Sequence, residues 1–289
     1  SVLWRVTGFT DGSPSLQMKC KSALRAGFCL ALVLAAAAQA APMPTALADA
    51  IAAPTRTEAF RARDRYRHPQ ETLTFFDVQP TMTVVEIWPG AGWYTEILAP
   101  YLRDRGQYIA DSFALNESSA GYYGRLANKL VEKLRAAPAS YDKVGITALG
   151  APDSWIIAPP GTADRVLTFR NVHNWMEADI APQVFAAMFK ALKPGGVLCV
   201  VEHRAAPGAS IESMKTSGYV TEDEVKRMAQ AAGFRFESAS EINANPKDTK
   251  NYAEGVWTLP PSLALKDKDR EKYLAIGESD RMTLRFVKP

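Results

Sequence analysis

Three polar side chains follow one predicted strand and suit proton transfer. The predicted buried strand over residues 165–169 is followed by Arg170, Asn171 and His173. A neutral histidine accepts a proton from a hydroxyl, an amine or an acidic carbon. We therefore expect His173 to be a general base, with Asn171 and Arg170 orienting the reacting group. The alternative is that His173 only caps the helix that follows.

A second polar group follows the most apolar run of the chain. After residues 197–201 come Glu202, His203 and Arg204, and we expect His203 and Arg204 to shape a substrate pocket. Two histidines and Glu202 carry atoms that can ligate a metal ion. The chain has only three histidines, however, and no His-x-x-x-His or Cys-x-x-Cys spacing accompanies them. The sequence therefore predicts no metal site.

A glycine-containing turn joins an apolar strand to a helix near residue 90. Residues 83–88 are apolar and β-branched, the turn Pro89-Gly90-Ala91-Gly92 follows them, and a helix is predicted from Thr95. Glycine permits the positive φ angles and the close ligand approach that such a turn needs. The next predicted strand ends at Asp111, whose carboxylate can accept both hydroxyls of a ribose. These residues predict a ligand site beside the turn.

Strands and helices alternate from residue 81 onward, and this alternation must position the polar groups. Strands are predicted at 83–88, 107–110, 143–148, 165–169 and 197–201, with helices at 95–103, 126–135, 182–192 and 221–232. The order predicts a mostly parallel sheet covered by helices on both faces, with its ligand at the carboxyl ends of the strands. Residues 282–287 are expected to form the last edge strand. Residues 238–280 are too long for a structureless loop and are expected to carry a lid or hairpin.

The turn resembles the first motif of class I S-adenosylmethionine-dependent methyltransferases, an acidic residue followed by Gly-x-Gly-x-Gly. Glu86 takes the acidic position, and Trp88, Gly90 and Gly92 stand at the three glycine positions. Residues 86–95 also look like the corresponding run of protein-isoaspartyl methyltransferases. Residues 169–173 are similar to the segment after the fourth strand of quinone-biosynthesis C-methyltransferases, and 192–196 to the family's turn before its fifth strand. The resemblance covers about residues 70–237 and includes an exported subfamily.

This resemblance implies a Rossmann-like, doubly wound α/β fold with a mostly parallel seven-stranded sheet. It implies S-adenosylmethionine as cofactor, with Gly90 and Gly92 at its methionine part, Asp111 at its ribose and Asp153 reaching its adenine. It also implies methyl transfer to a small-molecule acceptor beside His173. Trp88 departs from the pattern, because an indole stands where the backbone should approach the cofactor. The alternative is therefore a non-catalytic or repurposed ligand-binding protein on the same scaffold.

Aromatic and basic side chains near the predicted loops are further pocket candidates. Tyr122, Tyr123 and Trp175 could line an apolar pocket, although core packing explains them equally well. The helical segment 57–67 is dense in arginine. It is interpreted as a solvated helix face, with an anionic-ligand or lid role as the alternative.

The beginning of the chain has the pattern of a secretory leader. A charged stretch from Met18, an apolar run over residues 26–38 and Ala38-Gln39-Ala40 match a signal peptide at 18–40. Residues 1–17 are expected to be a non-native extension upstream of Met18. The remaining chain is expected to hold an N-terminal helical segment at 41–80 and a methyltransferase-like domain at 81–289. We therefore expect an exported, periplasmic protein without stable membrane insertion after cleavage.

Composition excludes several other classes. Hydrophobic residues make up 47% and charged residues 22%, so the chain can bury a large core. Three cysteines are too few for a disulfide scaffold, and a net charge of +3 is too small to predict nucleic-acid binding. A hydrolase is disfavoured because no Gly-x-Ser-x-Gly elbow is present. The expected partner is a small molecule, and the oligomeric state is left open.

Overall fold

A seven-stranded sheet forms the centre of the structure. The computed structural model describes residues 46–113, 121–150 and 154–289, so the predicted signal peptide and Asp153 lie outside the described residues. The strands are β1 (Thr83–Ile87), β2 (Gln107–Phe113), β3 (Gly145–Leu149), β4 (Ala163–Phe169), β5 (Leu192–His203), β6 (Arg235–Ser240) and β7 (Arg281–Val287).

The strand order is β3-β2-β1-β4-β5-β7-β6. The pairs among β1 to β5 are parallel, whereas β7 runs antiparallel to both β5 and β6. Ile87 at the end of β1 lies opposite Asp111 of β2 and Thr168 of β4. This register brings the segments after β1 and β4 to the same edge of the sheet. The predicted α/β class and mostly parallel seven-stranded sheet are confirmed.

Helices flank the sheet and cap one end of it. They are α1 (Leu47–Ala52), α2 (Glu58–Arg61), α3 (Asp64–Arg67), α4 (Pro69–Phe75), α5 (Thr95–Leu102), α6 (Tyr122–Ala136), α7 (Pro138–Tyr141), α8 (Val172–Glu177), α9 (Ala181–Ala191), α10 (Ile211–Ser217), α11 (Glu222–Ala231) and α12 (Arg270–Ile276). A 3-10 helix spans Gly255–Thr258. No helix in the described ranges is both long and apolar enough to cross a bilayer.

Two hydrophobic clusters cover the two faces of the sheet. Val85 and Ile87 pack into one cluster, and Val84, which precedes them in sequence, packs into the other. The same alternation holds along β5, where Leu198 and Cys199 point to opposite faces. Strands that are buried on both faces have continuous apolar sequences. This explains why β1 and β5 were the clearest strands in the sequence.

The last strand lies inside the sheet, which corrects the predicted edge position. β7 pairs with β5 on one side and β6 on the other, so β6 is the edge strand. Its burial alternates between exposed and half-buried residues, as expected for an edge strand, and this weak pattern concealed it from sequence reasoning. The long connection between β6 and β7 carries the 3-10 helix and α12. The lid or hairpin expected over residues 238–280 stays a prediction.

Candidate functional site

A cavity of about 320 Å³ lies at the carboxyl ends of β1, β4 and β5. Its walls come from the turn after β1, the segment after β4, the N-terminal helices α2 and α3, the start of α6 and the lid segment, residues 255–262. The volume lies at the lower end of the range for small-molecule sites. Of the residues named from the sequence, those at this cavity are Glu86, Trp88, Gly90, Tyr122, Tyr123, Arg170, Asn171, His173 and His203.

His173 and Glu202 form a buried pair at the cavity wall. Nδ1 of His173 lies 3.1 Å from Oε1 of Glu202. The Glu202 carboxylate is fully buried and is fixed by the backbone, because the amides of Val172 and His203 donate to its two oxygens at 2.6 and 2.7 Å. An ionised carboxylate only accepts, so this pairing puts a proton on Nδ1 of His173 and leaves Nε2 as an acceptor. The arrangement is that of an oriented general base.

His203 completes a group of three potential ligands with this pair. Ligand atoms of His173, Glu202 and His203 all lie within 4.8 Å of one another, although the sequence predicted no metal site. Nδ1 of His203 lies 2.6 Å from the hydroxyl of Ser279. Burial, followed by the positive charges of neighbours, lowers the pKa of His203 well below its usual range. The surroundings therefore favour the neutral imidazole of His203.

Trp88 spreads its indole over the ends of three strands. Its backbone has a φ of 48°, and its ring nitrogen donates to the carbonyl of Leu149 at the end of β3, at 3.3 Å. The ring lies 4.7 Å from the Phe113 ring and 5.7 Å from the Tyr123 ring. Trp88 thus occupies the space between the turn after β1 and the ends of β2 and β3.

Asp111 is buried beneath this region and does not line the cavity. The hydroxyl of Thr147 donates to its Oδ1 at 2.7 Å, and Oδ2 has no hydrogen-bond partner among the described residues. Burial raises the pKa of Asp111 to about 8, with the Thr147 hydrogen bond opposing the shift. A hydrogen-bonding group that reached Oδ2 would satisfy a buried polar atom that is otherwise left unpaired.

The two glycines of the turn have different roles. Gly90 has a φ of 61° and lines the cavity, and a Cβ there would meet no atom within 4 Å. Gly92 is buried against α6, where a Cβ would lie 3.1 Å from Cδ1 of Leu130. Gly92 therefore packs the turn onto a helix and is not among the residues that line the cavity, and its ligand role stays a prediction.

Glu86 is a second buried carboxyl at the cavity floor. The hydroxyl of Tyr108 donates to it at 2.5 Å. Burial raises the pKa of Glu86 to about 7, with the Tyr108 hydrogen bond and nearby arginines opposing the shift. This carboxyl therefore titrates near neutrality.

Three other predicted residues serve the scaffold. The Asn171 amide donates to the carbonyl of Ile87 at 2.9 Å, so it holds the segment after β4 to β1. Trp175 is fully buried against the Phe185 ring and does not line the cavity. Arg204 pairs with Asp280 and Glu241 away from the cavity, because its guanidinium meets several carboxylates there. Of these three residues, Asn171 alone lines the cavity, and their roles at a bound substrate stay predictions.

Sequence reasoning missed the residues that the N-terminal and C-terminal segments bring to the cavity. These are Phe60, Arg67, Trp257, Glu278, Ser279 and Arg281. The arginine density of residues 57–67 was the one available signal. No pattern marked Glu278 or Trp257, because their positions follow from the antiparallel return of the chain into β7.

Comparison with known proteins supports the fold. No protein-family model and no curated protein sequence matches the chain. A SAM dependent methyltransferase from Aquifex aeolicus is 17% identical, with 79% of this chain and 93% of that chain covered at a TM-score of 0.51. The cyclase SpnF is 15% identical, with 84% and 92% covered at a TM-score of 0.52.

A third solved structure is similar in the same way. Phosphoethanolamine N-methyltransferase 2 from Haemonchus contortus, solved with phosphomonomethylethanolamine and S-adenosylhomocysteine, is 15% identical, with 85% of this chain and 61% of that chain covered at a TM-score of 0.51. At these identities the similarity establishes the fold, and the named activities are those of the other proteins. The chain therefore has the Rossmann-like fold of class I methyltransferases.

Proposed function

We propose that this protein is an S-adenosylmethionine-dependent methyltransferase that acts on a small-molecule acceptor. The observation that carries the proposal is the His173–Glu202 pair, which faces a cavity beside the turn after β1. Two of the similar structures are named as methyltransferases, and one was solved with S-adenosylhomocysteine. Fold similarity alone does not decide function, so the proposal rests on the site.

The residues around the turn fit the cofactor in their chemistry. The unpaired Oδ2 of Asp111 is a buried oxygen that can form a hydrogen bond with a ribose hydroxyl, and the open space over Gly90 admits a ligand close to the backbone. Trp88 is the residue that opposes binding, since its indole spans the ends of β1 to β3. The proposal therefore requires the Trp88 side chain to turn aside when the adenosyl group enters.

The catalytic role falls to the residues of the cavity wall. S-adenosylmethionine supplies an electrophilic methyl group when bound. Nε2 of His173 accepts the proton that the acceptor loses, and Glu202 holds the imidazole in the required tautomer. Trp257 of the lid segment stacks edge-on to His173 with ring centroids 6.0 Å apart, so it shields the pair from water.

Isothermal titration calorimetry with S-adenosylhomocysteine tests the proposal. We expect saturable binding to the wild type and an affinity weaker by roughly tenfold or more in Asp111→Asn, because the amide nitrogen cannot accept a hydrogen bond from a ribose hydroxyl. Asp104→Asn is the matched control, since Asp104 is exposed and pairs with Arg103 and Lys143. Absence of binding to the wild type at millimolar ligand would refute the assignment.

A ligand-binding protein without methyl transfer is the second candidate, and Trp88 is the observation that favours it. The similar structure named as a cyclase is consistent with this fold serving other chemistry. Under this alternative, Trp88→Gly would create affinity for S-adenosylhomocysteine that the wild type lacks. Equal affinity in both proteins would eliminate it.

Export to the periplasm is also proposed, on the leader pattern at residues 18–40. Expression in a Gram-negative host and N-terminal sequencing of the periplasmic fraction should give a mature protein beginning at Ala41. Recovery of the uncleaved chain in the cytoplasmic fraction would refute export.

A further inference from the structure

Three arginines converge on one glutamate at the cavity. Nε of Arg63 donates to Oε1 of Glu278 at 2.6 Å, and Nε of Arg67 lies 3.5 Å from Oε2. Arg281 donates to Oε2 of the same carboxylate. A single carboxylate thus serves three guanidinium groups, two of which are almost fully buried.

Arg170 adds a fourth positive charge. It lines the cavity, and its guanidinium has no hydrogen bond or ion pair among the described residues. Its backbone has a φ of 62°, a conformation that costs a residue with a side chain on the order of 1 kcal/mol or more. Strained residues are found where the surrounding structure holds a side chain in a functional position.

The charge balance of this cluster is positive. Arginine stays protonated at neutral pH even where burial and Arg281 lower its pKa, as they do for Arg170 to about 10. Glu278 is ionised, because the surrounding arginines hold its pKa well below its usual range despite burial. Glu86 adds at most one partial negative charge, since its pKa is raised to about 7. Buried charge of one sign requires a counter-ion.

We infer that the cavity binds an anionic group, a carboxylate or a phosphate, through Arg67, Arg170 and Arg281. The inference about the acceptor rests on the proposed function: the methyl acceptor carries this anion. Arg170 follows β4 and Arg281 begins β7, whereas Asp111 lies in β2 on the other side of β1. The cluster is therefore on the acceptor side of the cavity.

Differential scanning fluorimetry and calorimetry with inorganic phosphate test the inference, with chloride at equal ionic strength as reference. We expect phosphate to raise the melting temperature of the wild type beyond the effect of chloride. Arg170→Gln should weaken phosphate binding about tenfold or more, because a charge-assisted hydrogen bond is lost. Arg227→Gln is the matched control, as Arg227 is exposed and pairs with Glu224 on α11.

A competition experiment shows whether the arginines bind the methyl acceptor or the carboxylate of the cofactor. Phosphate should still bind in the presence of saturating S-adenosylhomocysteine. 5′-Methylthioadenosine lacks the carboxylate of S-adenosylhomocysteine. If S-adenosylhomocysteine displaces phosphate and 5′-methylthioadenosine does not, the arginines bind the cofactor, and the assignment of the anion to the acceptor is wrong. Equal effects of phosphate and chloride on the wild type, or unchanged binding in Arg170→Gln, would overturn the anion site itself. Phosphate binding without binding of either nucleoside would keep the anion site and refute methyl transfer.

Discussion

Glu202 illustrates how a single side chain can serve both the scaffold and the site. Its carboxylate accepts from two backbone amides and lies 3.1 Å from the His173 ring, with no exposure to solvent. Glu202→Ala leaves these donors buried without an acceptor, so we expect a loss of about 3 kcal/mol in the free energy of unfolding. Urea denaturation measures it. Glu132→Ala changes an exposed residue of α6 and should lower the free energy of unfolding far less. Equal losses in the two variants would contradict the hydrogen bonds assigned to Glu202.

The raised pKa of Asp111 predicts how the free energy of unfolding depends on pH. Its carboxyl titrates near 3.8 when unfolded but near 8 in the fold, so between these values the folded state binds more protons. The contribution of Asp111 to the free energy of unfolding is fully present below pH 4. It is lost as the pH rises toward 8, and the free energy of unfolding falls on the order of 1 kcal/mol per pH unit. Denaturation from pH 5 to 8 should show a smaller slope in Asp111→Asn than in the wild type. Identical slopes, with Asp104→Asn as control, would contradict this environment for Asp111.

The lid segment depends on one close backbone contact. Gly255 has a φ of 51°, and a Cβ there would lie 2.2 Å from the carbonyl oxygen of Ser217 at the end of α10. Gly208 also has a positive φ, of 80°, but a Cβ there would meet no atom within 4 Å. Gly208→Ala should therefore cost only the backbone strain, about 1 kcal/mol, and Gly255→Ala clearly more. Thermal denaturation compares them, and equal melting temperatures would refute the contact.

The elements differed in how well the sequence predicted them. Strands β1 and β5 were predictable because burial on both faces makes them continuously apolar. α11 was predictable from its cap, since the Thr221 hydroxyl accepts from the amide of Glu224 at 3.2 Å. β6 was missed because an edge strand with half-buried residues lacks a strong pattern. The position of β7 was wrong because strand order depends on long-range pairing and not on local sequence.

At the scale of the whole molecule, the sequence located the edge of the sheet that carries the cavity but not the complete site. His173, His203 and Gly90 were predictable because they follow strands whose carboxyl ends meet at one edge. The cluster around Glu278 was not, since α3 and β7 are far apart in sequence and converge only in the fold. Trp88 was recognised as a departure, but the direction of its indole depends on Phe113 and Leu149, which only the structure places beside it.

A crystal structure of the protein with S-adenosylhomocysteine tests the central claim most directly. We expect ligand density over Gly90, a ribose hydroxyl within hydrogen-bond distance of Oδ2 of Asp111, and the Trp88 indole displaced from the carbonyl of Leu149. An indole that keeps its hydrogen bond to Leu149, with no density over Gly90 at saturating ligand, would contradict the proposed methyltransferase.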